Sequence, residues 1–153
     1  MVIDDLQRFR IPSFSAAILV RRVTADQAEL FAELFLRTFD MPLEYAPTMA
    51  DLIRPSIGLP NVYHFMAWLD GKPVGICSLL CHQTFGVLGS AGVVTERRGS
   101  RVASNLAIAA ARQALEDGVQ TFMLQTTSGT WLERLLRISG FKRAFARTCY
   151  VLS

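Results

Sequence analysis

Asp70-Gly71 lies between two apolar runs, Asn61–Leu69 and Pro73–His82, and no other feature constrains the chain as strongly. An Asp-Gly pair supplies the positive-φ residues of a two-residue hairpin, so the two runs are expected to pair antiparallel. In the first run Tyr63, Phe65, Ala67 and Leu69 share one face and Val62, His64, Met66 and Trp68 the other. Both faces are apolar, which places this strand inside a sheet covered on both sides. Phe85–Thr95 reads as a third strand. Its Gly86, Gly89 and Gly92 weaken regular pairing and predict a bulge or the close approach of another backbone. Gly99–Asp117 is the longest helical stretch, with a small-residue surface from Ala103, Ala107, Ala110, Ala111 and Ala114 and a C-terminal cap at Gly118. Val119–Thr126 returns as a strand. Hairpins followed by a strand–helix–strand crossover predict an α/β fold with a mixed sheet.

The flanking segments extend this pattern. Ala17–Val23 reads as an early strand. Thr24 and Gln27 have the spacing of a capping box, and Ala28, Phe31, Leu34, Phe35 and Thr38 continue as the core face of a helix. Residues 40–47 form a loop with two prolines, and Thr48 and Asp51 suggest a second short helix ending near Ile57. Thr130–Ile138 is another helix, ended by Gly140, and Phe141–Phe145 and Arg147–Leu152 read as two closing strands. Residues 1–16 are weakly patterned, an N-terminal tail or an extra edge segment ahead of a single domain over 17–153. About seven strands are expected, with helices on both faces.

Composition excludes several classes. At 153 residues, 51% hydrophobic and 19% charged, the chain suits one domain and is too apolar for disorder. No apolar stretch approaches the roughly 20 residues of a membrane helix. The acidic start, Met1-Val-Ile-Asp-Asp5, lacks an export signal. Three cysteines without a framework pattern suit a reducing, cytoplasmic setting. Cys77 and Cys81 share a strand face while His82 points to the other, so ordinary thiols are expected there and no metal. His64, beside Met66 and Trp68, is expected to be a satisfied core histidine. The net charge is +3 and the pI about 9.0. The arginines are scattered apart from Arg97, Arg98 and Arg101, which suits a local phosphate site rather than a nucleic-acid face.

That cluster belongs to the most informative segment, Val93-Val94-Thr95-Glu96-Arg97-Arg98-Gly99-Ser100-Arg101-Val102-Ala103-Ser104. A glycine-weakened strand runs through an Arg/Gly/Ser turn into the long helix. Unpaired N–H groups and positive dipole at a helix start hold phosphate. Arg98 and Arg101 add charge, and Ser100 and Ser104 add hydroxyl donors.

Arg98-Gly99-Ser100-Arg101-Val102-Ala103 resembles the Arg/Gln-x-x-Gly-x-Gly/Ala motif of the GNAT superfamily of N-acetyltransferases, and Ser139-Gly140-Phe141 is similar to that family's Leu-Gly-Phe ending. The element order matches from about Ala17 to Leu152. The resemblance implies a GNAT-like acyl-CoA N-acyltransferase fold. It also implies acetyl transfer from acetyl-CoA to a small-molecule or peptide amine by direct attack, without a metal. Acetyl-CoA would lie where two parallel strands splay apart. Its pantetheine would pair along Val93, Val94 and Thr95, and its diphosphate would meet Arg98, Gly99, Ser100, Arg101, Val102, Ala103 and Ser104. A backbone N–H at Val93 or Val94 would steady the oxyanion. Glu44, on the loop between the first two helices, and His82 are the candidates for acceptor binding or proton transfer.

Three positions depart from the family pattern. Arg101 stands where glycine is usual, Leu136 where a tyrosine acid is usual, and Ser128-Gly129-Thr130 where an asparagine often follows the later strand. These departures motivate an alternative, a degenerate module that binds CoA or a protein partner without turnover. The closing strands 141–152 offer a possible homodimer contact.

Overall fold

The computed structural model describes residues 1–10, 14–148 and 150. Its strands are β1 (Val2–Ile3), β2 (Leu19–Arg22), β3 (Val62–Leu69), β4 (Lys72–His82), β5 (Phe85–Val93) and β6 (Thr121–Leu124). Its helices are α1 (Ala28–Thr38), α2 (Ala46–Ile53), α3 (Val102–Glu116) and α4 (Trp131–Ile138). Among the described residues one sheet forms, in the order β1-β6-β5-β4-β3-β2. Every neighbouring pair is antiparallel except β5–β6, which α3 connects as a crossover.

Local chemistry explains most of these elements. Asp70 and Gly71 have φ of 53° and 73°, the positive pair that a tight β3–β4 turn requires. Thr24 donates its backbone N–H to Gln27 Oε1 at 3.2 Å, so the chain enters α1 with an otherwise orphaned donor satisfied. The β4–β5 register shifts between Ile76 and Ser78, whose partners are Gly92 and Gly89. The irregularity expected from the β5 glycines therefore falls on their own stretch. Glycine is required at position 75, where a Cβ would stand 2.7 Å from Val102 Cγ1; its absence seats α3 close on β4.

The two sheet faces are covered by different helices. Cys77, whose thiol lies 3.8 Å from the Leu106 carbonyl, faces α3. His64, whose ring meets Phe31 edge-on, faces α1. Phe31, Leu34, Met66, Ile76, Leu79, Leu106 and Phe122 are all buried between these layers.

The closing region differs from the expectation. Phe141–Phe145 is not a strand: a single bridge joins Lys142 to Val2, and residues 143–148 have no regular structure. Arg143 and Arg147 turn their side chains to Glu133, Ser128 and Gln125 instead. Of the second expected strand, Arg147–Leu152, residues 149 and 151–153 lie outside those described. The edge beside β6 is occupied instead by β1, with Val2 opposite Met123 and Ile3 opposite Phe122.

Candidate active site

Parallel β5 and β6 pair only from Phe85/Thr121 to Leu88/Leu124. β6 ends there, while β5 runs on to Val93 against β4. The two strands thus part at Leu88/Leu124 and leave the β5 edge from Gly89 to Val93 without a β6 neighbour. In open α/β sheets ligands bind beyond the carboxyl ends of the strands.

At the far end of this edge the chain turns through a short 3-10 segment, Thr95–Arg97, into α3. Gly99 has φ of 83°, with nothing among the described residues within 4 Å of where a Cβ would stand. Arg101, the N-cap of α3, has φ of 67° and makes no side-chain capping bond. The first α3 residues after it, Val102 and Ala103, carry the N–H groups that a helix start leaves without a carbonyl inside the helix, and the first turn holds no acidic residue. Ala103 is exposed. These groups converge on a surface suited to an anion.

The left-handed backbone at Arg101 explains why glycine suits this position, since a side chain there costs roughly 1–2 kcal/mol. Arg101→Gly is expected to raise stability by about 0.5–1 kcal/mol after the loss of chain entropy is counted. Thermal denaturation checks this, and a lowered melting temperature would refute the strain.

Arg98 does not project freely. Its Nε donates to the Val93 carbonyl at 3.3 Å and its Nη2 to the Thr38 carbonyl at 3.2 Å, with Asp40 Oδ2 at 3.9 Å. It clamps the β5 end to the C-terminus of α1 and to the loop that leads to Glu44. Of the two N–H groups considered for the oxyanion, that of Val94 is already used, donating to the Val74 carbonyl at 3.0 Å. Strand peptides alternate direction, so the N–H of Val93 points toward the parted edge. Ser100 Oγ donates back to the Arg97 carbonyl. Glu44 is exposed on the 3-10 turn Leu43–Tyr45.

His82 is not brought to this turn. Gly75 of β4 is the partner of Val93, and His82 lies roughly 23 Å farther along the strand at about 3.3 Å per residue. Leu136 is buried in the core cluster, away from any role as a proton donor. Burial raises the Cys77 thiol above its ordinary range and raises Cys81 to about 12. Among the described residues no three His, Cys, Asp or Glu side chains form a group able to hold a metal ion. No described helix is long and apolar enough to cross a membrane.

A cavity of about 680 Å³ opens at the carboxyl end of β6, lined by Leu124–Ser128, Glu133, Arg143 and Arg147 among others. Glu133, which sequence reasoning missed, anchors its wall. Its carboxylate accepts from the Gly129 N–H at 2.7 Å, from Arg143 Nη2 at 2.5 Å and from Arg137 Nη2 at 3.3 Å. The Gly129 N–H foremost, then Arg143, hold its pKa down at about 2. The Thr130-x-x-Glu133 spacing was a signal for it, since Thr130 Oγ1 caps the Glu133 N–H at 3.3 Å; the partner ten residues on was not legible. A depressed carboxyl pKa adds stability above the unfolded value of 4.5 that is lost as pH falls toward 2. The stability gap between the native chain and Glu133→Gln is expected to close over that window. Urea titrations at a series of pH values check this, and a constant gap would contradict it.

Comparisons with known proteins agree with this architecture. The acetyltransferase (GNAT) family model matches residues 28–141, and the chain belongs to that family. A GCN5-related N-acetyltransferase from Ralstonia eutropha is similar at TM-score 0.68 and 14% identity, over 88% of this chain and 98% of that one. An aminoglycoside acetyltransferase, meta-AAC0020, from an uncultured soil metagenomic sample gives TM-score 0.70 at 16% identity, over 92% and 100%. AAC(6')-Iy, solved with a CoA-linked bisubstrate analogue, gives 0.68 at 16%, over 89% and 98%. At such identities the likeness is one of fold. Among curated proteins none matches the sequence.

Proposed function

We propose that the chain transfers an acetyl group from acetyl-CoA to an amine of a small-molecule or peptide acceptor. The observation that carries this reading is the parting of β5 from β6 at Leu88/Leu124, with the free edge leading to the uncapped start of α3 at Arg101–Ala103. The pantetheine arm is read as pairing with the β5 edge as an added strand. The diphosphate is read as resting on the N–H groups of Val102 and Ala103, with Gly99, Arg101 and Ser104 beside it; the Ser100 N–H already donates to the Arg97 carbonyl. Arg98 fixes the edge by clamping Val93. The Val93 N–H is read as a donor to the pantetheine arm, which carries the thioester onward along the β5 edge toward Gly89. The acceptor is read as entering past the loop that carries Asp40 and Glu44; aminoglycosides are one class to test, given the neighbours named above.

Saturating acetyl-CoA is expected to raise the melting temperature, since ligand at 100 times its Kd adds about 2.7 kcal/mol. A panel of aminoglycosides, polyamines, amino acids and peptides is expected to yield free CoA thiol with at least one member. Leu136, buried where the family places a tyrosine, favours a second reading: a module that binds CoA without turnover. Binding without thiol release across the panel would support that reading, and no melting shift at millimolar acetyl-CoA would sink both.

A further inference from the structure

His64 and two serines form one hydrogen-bonded row on the face of the sheet that α1 covers. His64 Nε2 lies 2.8 Å from Ser56 Oγ and Nδ1 lies 2.8 Å from Ser78 Oγ. Ser56 Oγ also meets the Ile53 carbonyl at 2.6 Å. A carbonyl only accepts and a hydroxyl has one hydrogen, so the Ser56 hydrogen goes to Ile53. The hydrogen between Ser56 and His64 must then come from Nε2. Burial holds the His64 pKa below its ordinary value, so the ring is neutral near pH 7 and Nδ1 carries no proton. Ser78 therefore donates to Nδ1, and its oxygen lone pairs remain for another donor.

The position of Ser78 gives this row a use. Ser78 is opposite Gly89, the first β5 residue past the Leu88/Leu124 pair where β6 stops. Among the described residues a Cβ at Gly89 would meet nothing within 4 Å, so there is open space over the mouth of the parted strands, one strand spacing (about 5 Å) from Ser78. The hydrogen bonds of the row join the imidazole to hydroxyls and a carbonyl, with no charged partner among them, and Phe31 meets the His64 ring edge-on.

We infer that Ser78 touches the acceptor amine and relays its proton to His64. This rests on the acetyl-transfer reading above. A neutral amine attacks the thioester carbon and the N–C bond forms. The N–H of the now cationic nitrogen passes to Ser78 Oγ as the Ser78 hydrogen moves to His64 Nδ1. The C–S bond breaks and CoA leaves as thiolate. The serine hydroxyl is restored, and His64 holds the proton as imidazolium, with Nε2–H still on Ser56. Ser78 is the catalytic residue of the pair. Ser56 is a positioning residue that fixes the tautomer.

Two measurements test this. In single-turnover transfer to whichever amine releases most thiol, Ser78→Ala is expected to slow acetyl transfer about 100-fold, the low end for proton-transfer catalysis. Its acetyl-CoA Kd should be unchanged, and Ser78→Thr should restore most of the rate. Transfer by Ser78→Ala at the native rate overturns the relay without touching the family assignment. The second measurement needs no turnover. Long-range ¹H–¹⁵N spectra of the native protein should show His64 as the Nε2–H tautomer, and n-butylamine added with CoA should shift Nδ1 in the native chain but not in Ser78→Ala. An Nδ1–H tautomer, or an Nδ1 signal indifferent to the amine, overturns the inference even if no acceptor is found.

Discussion

Ala103→Asp is expected to lower acetyl-CoA affinity by at least about 100-fold while leaving the fold intact or slightly firmer. Ala103 is exposed in the first turn of α3, where no acidic residue stands. A carboxylate there faces the positive end of the helix dipole and stabilises the folded chain by about 0.3–1 kcal/mol. The same carboxylate occupies the surface on which the diphosphate is read as resting, and like charges brought together at a binding site cost several kcal/mol. Two effects of opposite sign are thus expected from one substitution. Calorimetric titration gives the affinity and thermal denaturation the stability. An unchanged Kd would place the phosphates elsewhere.

Much of this site's frame can be read from the sequence. The Asp70-Gly71 turn, the alternation on either side of it and the glycines of β5 each act through neighbours a few residues away, and so does the Arg/Gly/Ser turn into α3. The rest depends on contacts between distant segments. Nothing in Val2–Ile3 has a period, and those residues become a strand only because β6 presents an open edge to them. Arg98 reads as a free phosphate ligand until the fold brings the Thr38 carbonyl, 60 residues away, to its Nη2. His64 was legible as a satisfied histidine, with both ring nitrogens bonded, although it is half-buried rather than part of the core. Its partners Ser56 and Ser78 lie on a 3-10 turn and on β4, so the direction of its hydrogen bonds needs the fold. The expected strand Phe141–Phe145 fails because Arg143 and Arg147 find partners on the loop after β6, which holds residues 143–148 out of the sheet.

Phe122→Ala is the second large effect, an expected loss of roughly 3–5 kcal/mol, the scale for truncating a buried phenylalanine. Phe122 is fully buried on β6, opposite Ile3 on one side and Gly86 on the other. A Cβ on Gly86 would stand 3.0 Å from its ring, and the Phe141 ring centroid is 6.4 Å away. One side chain therefore joins β1, β5 and the segment after α4 at the base of the parted strands. Urea denaturation should show the midpoint falling with little change in slope. A loss below about 1 kcal/mol would mean that β6 is not docked as described.

In the proposed reaction the residues at the start of α3 receive the linked phosphates of an acyl-CoA. Comparing acetyl-CoA with S-acetylpantetheine, which has the same thioester and arm but lacks the nucleotide, tests it most directly. Calorimetric titration of the native chain should give acetyl-CoA at least about 100-fold tighter binding, the scale of two charged hydrogen bonds. Equal affinities, or no binding of either at millimolar concentration, would contradict that placement.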